Sequence, residues 1–215
     1  MTAEDMARAR RVLMRRDPVL APLIKKYGTC GIKTGREQDI FCGLVEAIVS
    51  QQLSTRAAAT IYGRVRALLP DGGTPTPEAL QLVPDAALRG AGLSRQKLGY
   101  MRDLSLKVLD GSINTAGLGE MTDEQIVQEL TKIKGIGRWT VEMLLIFRLT
   151  RPDVFPAGDL GIVKAVQKAY NLRKTPDVKR LHAIAERWRP YRSVASWYLW
   201  ASLENKPDAG AESRK

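Results

Sequence analysis

Helix-period apolar patterns dominate this 215-residue chain, and strand-length alternation is nearly absent. The stretch from Glu37 to Gln51 is the clearest case. There Ile40, Phe41, Leu44, Val45, Ile48 and Val49 recur at three- and four-residue steps and make one buried face. The expected fold is therefore all-α. Other helices are expected over 4–16, from Pro18 to a stop at Gly28, from an N-cap at Ser54 to Leu69, and from Thr76 with Pro77 through Leu80 and Val83. Further ones follow around Asp85 to Arg89, from Ser94 to Leu109, and from a capping box of Thr122 and Gln125 to near Ile133. Gly137 to Leu149 and Asp159 to Tyr170 come next, and Pro176 and Pro190 start the last two. Residues 28–35 form a glycine-bearing loop, Pro70 to Pro77 a turn-rich connector, and the polar tail from Asn205 is loose.

With 44% hydrophobic residues the chain can bury a real core, as one domain or as two small lobes sharing a cleft. Its 34 Lys and Arg against 23 Asp and Glu leave a formal charge of +11, so polyanions (DNA, RNA or anionic lipid) are the natural partners. The longest apolar stretches fall far short of the ~20 residues of a membrane span. The N-terminus carries charges where a secretory signal has its apolar region, so an intracellular location is expected: cytoplasmic beside the nucleoid in a bacterium, nuclear in a eukaryote. Cys30 and Cys42 cannot by themselves make a four-ligand zinc site or an iron–sulfur cluster, and are read as buried thiols.

Two features carry chemistry. In LTKIKGIGRWTVEMLLIF, residues 130–147, one helix meets Gly135-Ile136-Gly137 and a second starts at once. Glycines permit a tight hairpin and close backbone approach, and the following helix N-terminus offers N–H groups and a positive dipole end to a phosphate. Lys132, Lys134 and Arg138 add positive charge, while Ile136 tucks inward. An ordinary glycine-rich turn between helices would look the same in these residues alone. The second feature is Asp159, placed as an N-cap after the Pro-rich loop RPDVFPAG. A capping role and nothing more is the plain alternative.

Together these residues resemble the helix–hairpin–helix DNA glycosylases with a Gly/Pro-rich loop and a catalytic aspartate, in particular the alkylbase branch, 3-methyladenine DNA glycosylase II. The resemblance runs over roughly residues 37–204 and includes AIVSQQLSTRAA (47–58), GLSRQK (92–97), GRWT (137–140), DVFPAGDLGI (153–162) and RWRPYRSVASWYLW (187–200). It implies a two-lobed helical bundle with an active-site cleft between the lobes. The organisation expected from it is an N-terminal helical segment over 1–36 packing on the second lobe, a glycosylase core over 37–204 with the hairpin at 130–147 and the aspartate loop at 151–160, and a flexible tail over 205–215.

The activity the resemblance implies is hydrolysis of the N-glycosidic bond of alkylated purines, 3-methyladenine or 7-methylguanine, in damaged double-stranded DNA. This is the first step of base excision repair, carried out by a monomer. Asp159 is the implied catalytic residue, and Trp139, Trp200, Met143 and Phe41 line the implied base pocket. Gln51, Gln52 and Leu53 form the wedge that fills the gap left by the flipped nucleotide. Lys134, Gly135, Ile136, Gly137, Arg138, Thr140, Ser94 and Lys97 are expected at the DNA, with Arg95 and Arg192 as further candidates. No cofactor and no iron–sulfur cluster is implied, although family hairpins can hold a monovalent cation through backbone carbonyls, here those of Thr131, Ile133 and Ile136. The strand-cleaving branch has a lysine where this chain has Trp139, so no lyase activity is expected. Lys134 stands where family hairpins often carry proline, and Met143 where some relatives have tyrosine. A glycosylase for uracil or a mismatched base, and a non-catalytic DNA-binding module, remain as alternatives. His182 is read as solvated or packing, and Trp188 as core.

Overall fold

A computed structural model describes residues 1–33 and 39–203, and among them the regular structure is entirely helical. The expectations for Gly35, Glu37, Gln38 and the tail from Asn205 lie outside the described residues. Twelve α-helices follow one another: α1 (Ala3–Arg16), α2 (Leu20–Tyr27), α3 (Ile40–Ser50), α4 (Thr55–Ala67), α5 (Pro77–Leu82), α6 (Asp85–Gly90), α7 (Arg95–Leu109), α8 (Asp123–Leu130), α9 (Arg138–Phe147), α10 (Leu160–Ala169), α11 (Val178–Ala185) and α12 (Arg192–Leu203). None of these is long and apolar enough to cross a membrane. The chain divides into two compact units, one of Met1–Arg36 with Leu145–Lys215 and one of Glu37–Leu144, the second boundary falling within α9. Its two ends build one unit and its middle the other.

The starts of the helices follow local side-chain chemistry. Ser54, Thr76, Ser94 and Asp159 each accept a backbone N–H three residues on, satisfying a donor that the first turn leaves without an intrahelical partner. The Thr122–Gln125 capping box forms, and so does an unanticipated one between Thr2 and Asp5 at α1. Several helices, α4 and α8 among them, end earlier than the apolar pattern suggests. α4 stops at Ala67 because Leu68 and Leu69 bond to carbonyls three residues back, winding the chain tighter before Pro70. α8 stops at Leu130 for the same reason, with Lys132 and Ile133 bonded to Glu129 and Leu130.

In the middle unit α3 packs on α4 and α7, and α7 also packs on α5 and α6. Leu44, Val45, Ile48, Val49, Leu88, Met101 and Leu104 are buried there. Cys42 is only half-buried, with its Sγ 2.9 Å from the Tyr62 hydroxyl. In the terminal unit α12 packs on α10, α2 and α1. Cys30 is buried in that unit, and burial pushes its thiol up to about 11, so it behaves as a small hydrophobe. Trp188 is fully buried. His182 is exposed, its ring set edge-on to Phe155 at 5.5 Å.

One carboxylate organises the terminal unit. Asp17 is fully buried. Its Oδ1 accepts the N–H groups of Val19 and Leu20 at 2.9 and 3.2 Å, opening α2, while its Oδ2 accepts the indole N–H of Trp188 at 2.7 Å and the Tyr170 hydroxyl. Burial, reinforced by that hydrogen bond, pushes the Tyr170 hydroxyl far above its ordinary range, so it stays a donor. The cost of burying a charge is offset by this set of donors, and removing the carboxylate would orphan all of them at once. Asp17→Ala is expected to destabilise the protein by about 3 kcal/mol or more in urea titration, and Tyr170→Phe by about 1 kcal/mol. Equal midpoints for the two variants would overturn this ranking.

Candidate functional site

In the middle unit the hairpin between α8 and α9 lies against α7. Gly135 has φ +79°, a left-handed conformation, and a Cβ there would come 2.1 Å from the Tyr100 ring. Both conformation and space therefore demand glycine. Gly137 differs, because a Cβ there would meet nothing within 4 Å and the residue is exposed. The backbone of the hairpin is pinned by α7. Asp103 Oδ2 accepts the Lys134 N–H at 2.9 Å, and Lys107 donates to Asp103 at 2.8 Å and to the Lys132 carbonyl at 2.5 Å. Burial opposes ionisation of Asp103, but the hydrogen bonds from Lys107 and the Lys134 backbone outweigh it and hold the carboxyl below its usual range.

The Gln51-Gln52-Leu53 segment forms the turn after α3. Gln51 Nε2 donates to the Gly135 carbonyl at 2.8 Å, so this side chain is bonded to the hairpin rather than projecting as a wedge. Gln52 is exposed with φ +57°, and Leu53 is 39% exposed. Lys97 is likewise turned inward. Its Nζ donates to the carbonyls of Val49 and Gln51, both at 2.7 Å, and burial holds its pKa below the ordinary lysine value. The Ser94 hydroxyl caps α7 by accepting the Lys97 N–H at 3.1 Å.

The charges expected at the hairpin are partnered. Lys132 pairs with Glu129 at 2.6 Å, Lys134 with Asp103 at 3.7 Å, and Arg138 makes two bonds to Glu124, the shorter 2.6 Å. A phosphate at this hairpin would therefore meet backbone N–H groups and ion pairs, not bare cations. Ile136 is buried, as is Thr140. Phe41 is 4% exposed, within the buried face of α3, whereas Trp139 is 50% exposed and Met143 half-buried on α9. Thr131 and Ile133 lie where α8 ends, and the Ile133 carbonyl accepts the Ile136 N–H at 3.1 Å. Carbonyls at a helix end suit a monovalent cation in kind. Among the described residues no His, Cys, Asp and Glu cluster fits a metal ion.

The terminal unit holds Asp159. Its Oδ1 accepts two donors at 2.8 Å each, the Ile162 N–H of α10 and the Trp200 indole N–H of α12. Trp200, expected as a wall for a base, donates to the carboxylate, and its ring lies 5.7 Å from that of Phe147. A Cβ at Gly161 would sit 2.9 Å from Asp159 Oδ1 and 3.1 Å from the indole, so glycine makes room for the pair. The loop before Asp159 is stapled to the start of α12. The Val154 N–H donates to Ser193 Oγ at 3.0 Å, Ser193 Oγ donates to the Arg151 carbonyl at 2.7 Å, and the Ser193 N–H donates to the Pro152 carbonyl at 3.1 Å. Arg192, expected near phosphate, is instead taken up by Asp153, with Nε 2.8 Å from Oδ1 and a bond to the carbonyl at 2.7 Å. The reason is local charge pairing in a half-buried site.

Sequence reasoning missed Tyr100, Asp103, Lys107, Phe147 and Gly161. A signal for part of this set exists, because Lys97, Tyr100, Asp103 and Lys107 recur at helical spacing on one stripe of α7.

Comparison with known proteins fits this arrangement. Residues 45–190, which span both the hairpin and the Asp159 loop, match the family described as HhH-GPD superfamily base excision DNA repair protein. DNA-3-methyladenine glycosylase 1 of Schizosaccharomyces pombe is 39% identical over 158 residues, which is 73% of this chain and 69% of that protein. The alkylbase DNA glycosidase-like protein mag2 of the same yeast is 30% identical over 198 residues, 91% of this chain and 93% of its own length. The solved structure of the S. pombe 3-methyladenine DNA glycosylase in complex with abasic DNA superposes with a TM-score of 0.80 at 33% identity, covering 92% of this chain and 97% of that one. A chain that matches the family model over residues 45–190, with relatives this similar over most of its length, belongs to the HhH-GPD superfamily of base excision DNA repair proteins.

Proposed function

We propose that this protein is a monofunctional DNA glycosylase that flips alkylated purines out of duplex DNA and hydrolyses their N-glycosidic bond. Family membership and relatives named for 3-methyladenine support the substrate class, and a structural neighbour bound to abasic DNA, the product of such a reaction, supports the chemistry. The single observation that carries the reading is the Asp159 carboxylate, fixed through Oδ1 by the N–H groups of Ile162 and Trp200.

N-alkylation leaves the purine cationic, so the base departs with the electron pair of the C1′–N bond and needs little protonation. The sugar left behind is oxocarbenium-like. Asp159 stabilises that positive charge and orients the water that adds to C1′, taking up its proton or passing it to solvent. Opposite charges about 4 Å apart at an effective dielectric of about 20 interact by roughly 4 kcal/mol, an upper bound near a thousandfold in rate. Trp139 supplies an exposed ring face for a cationic base, worth roughly 0.5–2 kcal/mol. It also stands where the strand-cleaving branch has lysine, and an indole cannot form a Schiff base with the sugar, so the strand stays intact. A monovalent cation on the carbonyls of Thr131, Ile133 and Ile136 would add positive charge at the hairpin.

Asp159→Asn should lower single-turnover release of 3-methyladenine from methylated duplex by at least tenfold and at most about a thousandfold, while binding to an abasic duplex changes by no more than about a few-fold. Release at the wild-type rate would remove the proposed role. At the hairpin, Gly135→Ala should cost about 2 kcal/mol of stability, because it brings both a strained φ and an overlap with Tyr100. Gly137→Ala should leave thermal stability within about 0.5 kcal/mol and weaken duplex binding, its methyl filling the space a phosphate oxygen would approach. Unchanged duplex affinity for Gly137→Ala would argue against the hairpin as the phosphate grip.

A further inference from the structure

The turn after α3 is restrained by side chains from α7 and by a bond to the hairpin. α3 ends at Ser50, and its last carbonyls lack intrahelical donors. The Lys97 ammonium supplies one of them, donating to the Val49 carbonyl, and donates also to the Gln51 carbonyl at the cap, which places a cation at the negative end of the helix. The Gln51 side chain is tied to the Gly135 carbonyl, and the Leu53 N–H bonds back to the Ser50 carbonyl at 3.1 Å. Between these fixed neighbours Gln52 sits at φ +57°, a conformation a non-glycine residue rarely takes and one that persists only where the surroundings over-determine it. An exposed polar side chain is thus held out at a strained point of the backbone.

We infer that Lys97 is a positioning residue for base extrusion: with the Gln51 carboxamide it clamps the turn to the Gly135 hairpin so that Gln52 is presented rigidly to the duplex. Lys97 does this through the carbonyls it holds, not through phosphate. Gln51 is a strut, and Gln52 with Leu53 is the part that enters the gap. The grip on the strand and the wedge then move as one body, so that binding energy gained at the hairpin is available to unstack a base. The inference rests on the DNA reading above for what the turn enters, but not on the chemistry at Asp159.

The test uses a duplex with an abasic analogue flanked by 2-aminopurine, whose fluorescence rises when the wedge unstacks it. Lys97→Met should reduce that rise severalfold at saturating protein while leaving the affinity for undamaged duplex and its salt dependence unchanged. Base release from a paired 3-methyladenine duplex should fall about tenfold, and the deficit should shrink towards twofold when the lesion is in a bulge, where little unstacking is needed. In a Gln52→Ala background Lys97→Met should have no further effect, because a residue that acts through Gln52 has nothing left to position. Gln51→Leu, which cuts only the tie to the hairpin, should act in the same direction and covers the case in which Lys97→Met fails to fold. Multiplying fold-changes in the double variant, an equal deficit on paired and bulged lesions, or a salt slope smaller by about one would overturn the inference, the last marking Lys97 as a phosphate contact. A wild-type protein that brightens 2-aminopurine but releases no base would remove the glycosylase reading and leave the clamp standing.

Discussion

The stripe of α7 formed by Lys97, Tyr100, Asp103 and Lys107 is the support on which the middle unit's candidate site rests. At its start Lys97 satisfies the carbonyls at the end of α3, and further along Tyr100 packs beneath Gly135. Then Asp103 and Lys107 hold the backbone of Lys134 and Lys132. The Lys97, Asp103 and Lys107 contacts each answer a backbone group in or beside a turn where a helix ends. Two turns that are far apart in sequence, the one after α3 and the glycine hairpin, thereby take their conformations from a single rigid element, and the Gln51 bond to Gly135 closes the triangle.

The terminal unit uses the same device on α12. Ser193 and Arg192 at its start take up the backbone and the Asp153 carboxylate of the loop before α10, and Trp200, two turns on along the same face, donates to Asp159. The aspartate is thus fixed from both sides, by its own helix through the Ile162 N–H and by a packed neighbour through an indole. Gly161 is part of this arrangement because any side chain there would displace the pair it borders. Precision of this kind, with the carboxylate's donors set on helices, is what an electrostatic role requires.

Charge acts on two scales. The excess of +11 is a property of the whole surface and draws a polyanion from a distance. Near the hairpin the cations are individually balanced by Glu129, Asp103 and Glu124. The Arg138–Glu124 pair is largely exposed, and exposed pairs of this kind are worth about 0–1 kcal/mol, so a phosphate can displace such a carboxylate at little cost. Composition correctly pointed to the partner class. It could not reveal that Lys134 and Arg138 are themselves paired, because partners 31 and 14 residues away, Asp103 and Glu124, are invisible to a count.

What the sequence by itself determined was local. The helical period of Ile40 to Val49, the caps at Ser54, Thr76, Ser94, Thr122 and Asp159, and the glycine hairpin all depend on residues within about one turn of each other, where spacing alone fixes which atoms can meet. Tertiary structure decided how those pieces are used. That Lys97 faces carbonyls, that Gln51 bonds to Gly135, that Arg192 belongs to Asp153 and that Trp200 donates to Asp159 all follow from contacts spanning 39 to 84 residues. A long polar side chain has several partners within its reach, and only the packing of the helices determines which of them it meets.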